Sequence, residues 1–174
     1  MSKQTVVVSG FPGVGKSYFV NNGDYKALDS DSSNFSWLTD EDGNKTRHPN
    51  FPNNYIQHIK ENLGEVDYIL VSSHDVVRDA LRENNIRYVS VFPDKSLKHD
   101  FMNRYKERNS PEPFLRLMDK QYDSFVDGLM NDSNNRRVVL QDEGLYLSDV
   151  LEEINHEYSK WQTLGELRKR ETSK

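Results

Sequence analysis

Apolar residues along this chain fall in short blocks separated by polar turns, and the period inside each block predicts alternating strands and helices. Residues 4–9, with the unbroken run Thr5-Val6-Val7-Val8, read as a strand covered on both faces. A short helix over 15–22 follows, stopped by Asn21-Asn22-Gly23. Lys26-Ala27-Leu28 is a brief second strand, and 66–72, with the core Tyr68-Ile69-Leu70-Val71, is a third. A helix over 76–83 leads to a fourth strand at 87–92, and Val138-Val139-Leu140 forms a fifth. Two amphipathic helices are predicted at 95–108 and 114–130, the first with Leu97, Phe101, Met102 and Tyr105 on its apolar face. The stripe Tyr55, Ile56, Ile59 and Leu63 marks a helix over 54–63, and a last helix, capped by Ser148, turns Val150, Leu151, Ile154, Tyr158 and Trp161 inward.

Strands alternating with helices imply an α/β fold: a five-stranded parallel sheet with helices on both faces and right-handed crossovers. At 174 residues the chain suits a single domain, 1–174, with a charged tail at 165–174. The 34% hydrophobic and 29% charged fractions describe a folded domain with a strongly hydrated surface, because the apolar residues are clustered. A net charge of −5 argues against a protein that coats nucleic acid or an anionic membrane. The lack of cysteine removes disulfides, thiolate metal sites and a thiol nucleophile, and no stretch reaches the length of a membrane span. A cytosolic protein is expected, with a small molecule rather than a polymer as its partner.

The first strand runs directly into Gly10-Phe11-Pro12-Gly13-Val14-Gly15-Lys16-Ser17, followed by Tyr18 in the helix. This spacing is that of a Walker A loop in its strand-to-helix setting. Its glycines let backbone N–H groups turn onto phosphates, Lys16 reaches the terminal phosphates, and Ser17 offers a hydroxyl to Mg²⁺. ATP and Mg²⁺ are the expected cofactors. Asp29 and Asp31 follow the second strand, which is expected to lie beside the first, at the sheet edge where ligands bind in α/β folds. The third strand ends in Ser72-Ser73-His74 rather than in an acidic residue, which makes Asp29 the better candidate for the metal shell. Phe35, Trp37, Arg47, His48, Phe51 and Tyr55 either wall a substrate or pack their excursion onto the sheet. Arg104 and Arg108, at i and i+4, are either a solvated edge or a phosphate clamp. The break at 109–113 between two helices gives the 95–130 region the form of a closing lid.

The order of these parts resembles the small P-loop kinases, the group of nucleoside-monophosphate, shikimate and gluconate kinases, over residues 4–161. Asp29-Ser30-Asp31 matches the Asp-x-Asp of the shikimate kinase type, which implies a metal-water role for Asp29 and a substrate-hydroxyl role for Asp31. Ser72-Ser73-His74 with Val77-Arg78-Asp79 looks like the gluconate kinase segment, which implies Arg78, beside His74, on the substrate side. Residues 141–144 fall where adenine sits in these kinases. The Asp-Ser-Asp-Ser-Ser and Asn-Phe-Pro-Asn-Asn-Tyr segments also resemble bacteriophage proteins described as adenylate-kinase-like. The resemblance implies transfer of a γ-phosphoryl group from ATP to a small acceptor, a nucleoside monophosphate or nucleoside, with Lys16, Asp31, Arg104 and Arg108 as catalytic groups. Arg47 and Arg78 would hold a phosphate acceptor; Asp31 would serve a hydroxyl. A metabolite kinase, a polynucleotide 5′-hydroxyl kinase and a nucleotide-dependent ATPase switch are the alternatives.

Overall fold

Val7, Val8, Ile69 and Leu70 are wholly buried at the centre of a parallel sheet, as unbroken apolar runs require. The computed structural model describes residues 4–133 and 136–160, so Trp161 and the 165–174 tail lie outside the described residues. In chain order the elements are β1 (Val6–Gly10), α1 (Lys16–Asn22), β2 (Ala27–Asp29), α2 (Ser33–Ser36), β3 (Trp37–Thr39), β4 (Lys45–Arg47), α3 (Asn53–Asn62) and β5 (Tyr68–Ser72). There follow α4 (Asp75–Glu83), β6 (Val89–Pro93), a 3-10 turn (Lys95–Leu97), α5 (Lys98–Glu107), α6 (Glu112–Met130), β7 (Arg136–Leu140), a second 3-10 turn (Leu147–Val150) and α7 (Leu151–Lys160).

The sheet has the order β2-β5-β1-β6-β7, with every pairing parallel. Expecting β2 to lie beside β1 was wrong: β5 stands between them, pairing Val6↔Tyr68 on one side and Ala27↔Tyr68 on the other. The reason is burial. Three half-buried residues suit a sheet edge, whereas the run Tyr68-Ile69-Leu70-Val71 is buried throughout and belongs inside.

Only the step from β1 to β2 runs towards the β2 edge, and the three later steps run the other way. Right-handed crossovers therefore put α1 on one face and α3 and α4 on the other. Tyr55, Ile56, Ile59, Val77 and Leu81 pack with Val7, Ile69 and Val71 in one core, and Phe19, Ile154 and Tyr158 pack with Val8 and Leu70 in a second. Leu63, expected on the inward stripe of α3, is 36% exposed, because the chain has left the helix there.

Phe101, Tyr105, Met118, Tyr122 and Val126 are buried with Phe11 and Phe92, so α5 and α6 are part of the core. The stretch joining them, residues 106–113, lies mostly in solvent. The β3–β4 hairpin had no signature in the pattern, since all six of its strand residues are exposed. Its tip is closed by Asp40, whose Oδ1 accepts from the amides of Asp42 and Asn44 at 3.0 and 2.8 Å. Ser148 is not a helix cap: it lies inside the 3-10 turn, whose start is fixed by the Tyr146 amide donating to Asp149 Oδ2 at 2.9 Å. No helix among the described residues is long and apolar enough to cross a membrane.

Candidate functional site

The loop of residues 10–17 leaves β1 at the carboxyl edge of the sheet, and its shape is set by its glycines. Gly13 and Gly15 have φ of 91° and 94°, the left-handed region that glycine enters without steric cost. A Cβ on Gly13 would lie 2.9 Å from the Tyr105 ring, and one on Gly15 would lie 3.0 Å from Tyr146.

Three successive carbonyls of this loop are held from outside it. Pro12 O accepts from the Tyr105 hydroxyl at 2.7 Å, Gly13 O from Arg104 Nη1 at 2.9 Å, and Val14 O from the Leu147 amide at 2.8 Å. In a planar trans peptide the next N–H points opposite to the carbonyl. The amides of Gly13 and Gly15 are thereby turned towards the interior of the loop, while the Val14 amide closes a turn on Phe11 O at 3.2 Å. The first-turn amides of α1 have no acceptor within the helix and add to the same concavity. An anion is the ligand such a concavity suits.

Lys16 folds over the loop and donates to Gly10 O at 2.8 Å. Loss of hydration pulls its ammonium down to about 8, a shift opposed by Asp29 and Asp31 and reinforced by Arg108. Lys16, Asp29, Asp31 and Arg108 thus share one electrostatic neighbourhood. Ser17 Oγ donates to Asp29 Oδ2 at 2.9 Å, so the two groups expected in a metal shell are in contact. Among the described residues no group of three or more histidines and carboxylates is placed to hold a metal by itself. Ser17 and Asp29 fit Mg²⁺ as a partial shell, since that ion takes few protein oxygens and leaves the rest to phosphate and water.

The serines at the end of β5 take over a structural task. Ser72 Oγ lies 2.8 Å from Ser32 Oγ and accepts from the Ser32 amide at 3.2 Å, while Ser9 Oγ donates to Ser72 O at 3.1 Å. The Tyr55 hydroxyl donates to Ser30 O, and Ser30 Oγ meets His58 Nε2 at 3.0 Å. Asp29 and Asp31 therefore stand on a segment fastened at Ser30 and Ser32. Phe35, Tyr55, Phe51 and His58 are ring neighbours in this support.

Two cavities flank the loop. One of about 350 Å³ is walled by Gly13, Gly15, Lys16, Ser17 and Tyr18 and, opposite, by Arg104, Arg108 and Tyr146. The other, of about 250 Å³, lies between Phe11 and Pro12, the segment Ser73-His74-Asp75 with Arg78, and Phe125 and Leu129 of α6. At its rim, lost hydration and then the Lys16 charge push the His74 imidazole below its usual value. Arg78 is buried and bound to Ser73 O and Asp132.

Two expected site residues are placed differently. Arg104 is 8% exposed, paired with Asp100, bound to Gly13 O and Leu145 O, and held between the Phe101 and Tyr146 rings at 4.1 Å each. It is a brace for the loop, whereas Arg108, one turn on, is exposed, donates sideways to Ser110 Oγ at 3.1 Å and lies over the Tyr105 and Phe114 rings at 5.0 and 5.6 Å. Arg47 lies on the exposed hairpin, 5.2 Å over the Trp37 ring, and lines neither cavity. Residues 141–144 line neither cavity, and from that loop Tyr146 faces the first. Tyr105, Tyr146 and Asp132 were not singled out from the sequence: the two tyrosines read as ordinary aromatic positions, and Asp132 lies in a polar loop without pattern. No protein-family model and no curated protein matches this chain.

Proposed function

We propose that the chain is an ATP-dependent phosphotransferase of the P-loop kinase type, with residues 10–17 as its Walker A loop and a nucleoside monophosphate or nucleoside as acceptor. One observation carries the reading. Outward-held loop carbonyls, Lys16 and the Ser17–Asp29 pair converge at one sheet edge, with a separate cavity on the far side of the loop. A mere nucleotide-binding switch has no need of that second cavity.

The roles follow from chemistry. The amides of Gly13 and Gly15 and the Lys16 ammonium bind the phosphates, and Lys16 neutralises charge as the γ-phosphoryl group departs. Bound Mg²⁺, held through Ser17 and Asp29, would supply further neutralisation of the phosphate oxygens. Arg108, exposed beside the nucleotide cavity, is the cation able to reach the reacting phosphate, while Arg104 keeps the loop in shape. Asp31 orients or accepts the proton of a hydroxyl acceptor. His74 and Arg78 line the acceptor cavity.

The test is a panel of nucleosides, nucleoside monophosphates, sugar acids and 5′-hydroxyl oligonucleotides, read by ADP formation in the wild type and in Lys16→Ala. Acceptor-dependent ADP release, lost by roughly two orders of magnitude or more in the variant, is expected. Hydrolysis that no acceptor accelerates would replace this reading with an ATPase.

A further inference from the structure

We propose that Asp132, in the loop after α6, is a positioning residue for the acceptor: it orients the Arg78 guanidinium so that its unshared N–H groups face the acceptor cavity and take an anionic group. The inference rests on the reading of that cavity as the acceptor site.

Arg78 is fastened at two points. Its Nε donates to Ser73 O at 3.1 Å, and its Nη1 donates to Asp132 Oδ2 at 2.6 Å. The side chains of Arg78 and Asp132 are only 9% and 12% exposed, so the pair is shielded from water. A guanidinium carries five N–H groups in one rigid plane, and fixing two of its nitrogens fixes where the others point. The rest of the fork is left for the cavity that Arg78 lines with Phe11 and Phe125.

The charges favour an anion there. Asp132 Oδ2 also accepts from Arg82 Nη1 at 3.1 Å, so two guanidiniums share one buried carboxylate. Arg82 has Asp79 as a further partner, but that carboxylate is 59% exposed and answers Arg82 from the solvent side. Arg82 is held in turn by the Tyr88 hydroxyl at 2.5 Å. Asp75 also lines the cavity, but it is exposed and screened by solvent, whereas Arg78 is buried, so Arg78 keeps positive character towards the cavity, which suits the phosphate or carboxylate of an acceptor. Asp132 follows the C-cap Asn131 of α6, so the carboxylate that holds Arg78 sits just beyond the helix that carries the Phe125 wall.

Full-length Asp132→Asn keeps the shape of the side chain and removes its charge. With the acceptor found in the panel, it should raise the acceptor KM by about tenfold or more while kcat and the KM for ATP stay within about twofold. Asp132→Glu should recover part of the loss. Arg78→Lys should show the same split, and the double variant Arg78→Lys/Asp132→Asn should be no worse than Arg78→Lys alone. Urea unfolding, run alongside, identifies a purely structural role: lower stability with an unchanged acceptor KM, or additive losses in the double variant, would overturn the proposal. A second readout needs no turnover. Inorganic phosphate, titrated against the ¹⁵N Nε–Hε signal of Arg78, should shift it in the wild type and require about tenfold more phosphate in Asp132→Asn. Phosphate binding with that dependence, in a protein that phosphorylates no acceptor, keeps Asp132 in its role and removes the kinase. Turnover and phosphate binding that both ignore Asp132→Asn remove Asp132 and keep the kinase.

Discussion

Replacing Arg104 by Ala tests whether this arginine braces the loop or closes on phosphate, because the two roles predict different losses. Arg104 donates to two backbone carbonyls, Gly13 O and Leu145 O, each worth about 1 kcal/mol net. Its pairing with Asp100, whose side chain is 22% exposed, adds about 1 kcal/mol. Contacts with the Phe101 and Tyr146 rings add about 0.5 kcal/mol each. The sum is about 4 kcal/mol, and because all these contacts share one side chain the expected loss is nearer 3 kcal/mol. With a urea slope of about 2 kcal/mol/M for a domain of this size, the midpoint should fall by about 1.5 M. Arg108→Ala, at an exposed position with contacts to the Tyr105 and Phe114 rings, should cost no more than about 1 kcal/mol of stability and instead lower kcat more than it raises the KM for ATP. Urea curves for both variants, with kinetics at a temperature where both stay folded, decide the matter. An Arg104→Ala protein within about 1 kcal/mol of wild-type stability whose kcat has collapsed would refute the brace and restore the lid.

Ser17→Ala should weaken Mg²⁺-dependent turnover and leave metal-free nucleotide binding much less affected, and Asp29→Asn should be partly rescued by raised Mg²⁺ or by Mn²⁺; equal losses with and without metal would remove both residues from the metal shell. The lowered value of Lys16 predicts a pH dependence. Between about 8 and its ordinary 10.5 the unfolded chain holds a proton that the folded one has lost, so this group alone makes the ligand-free fold more stable as pH rises through that window. Phosphate favours the ammonium form, so nucleotide binding above about pH 8 should take up a proton and weaken by up to about tenfold per pH unit; calorimetry in buffers of different ionisation enthalpy that finds no uptake would contradict it.

The parts most legible in the sequence were those in which one local pattern has one physical cause. Buried parallel strands need continuous apolar runs, and β1, β5, β6 and β7 were found from them. The spacing of glycines, lysine and serine in the loop follows from local backbone shape, and the structure keeps it. Strand order was misjudged because neighbourhood in a sheet depends on how deeply each strand is buried, which three residues such as Ala27–Asp29 do not announce. The β3–β4 hairpin buries no face and so writes no alternation into its residues. Arg104 was ambiguous for a different reason. A helical i,i+4 arginine pair looks alike whether it meets water or two aromatic rings and a carbonyl, and only the fold brings Gly13 and Leu145 to it. Asp132 makes its bonds to residues 54 and 50 positions away, beyond any local pattern.

The three tethered carbonyls of the loop have an entropic consequence. Fixing a backbone residue costs about 1–2 kcal/mol, and for Pro12, Gly13 and Val14 that cost is met as the domain folds, through Tyr105, Arg104 and Leu147. On the proposed function, a phosphate arriving at the loop would find little chain left to order, so its contacts would appear almost undiminished as affinity. Tyr105 and Leu147 would thereby act on binding strength through bonds to the outward-held carbonyls of the loop. A change at Tyr105 that spares every group facing the ligand should be felt as a looser, slower capture of nucleotide.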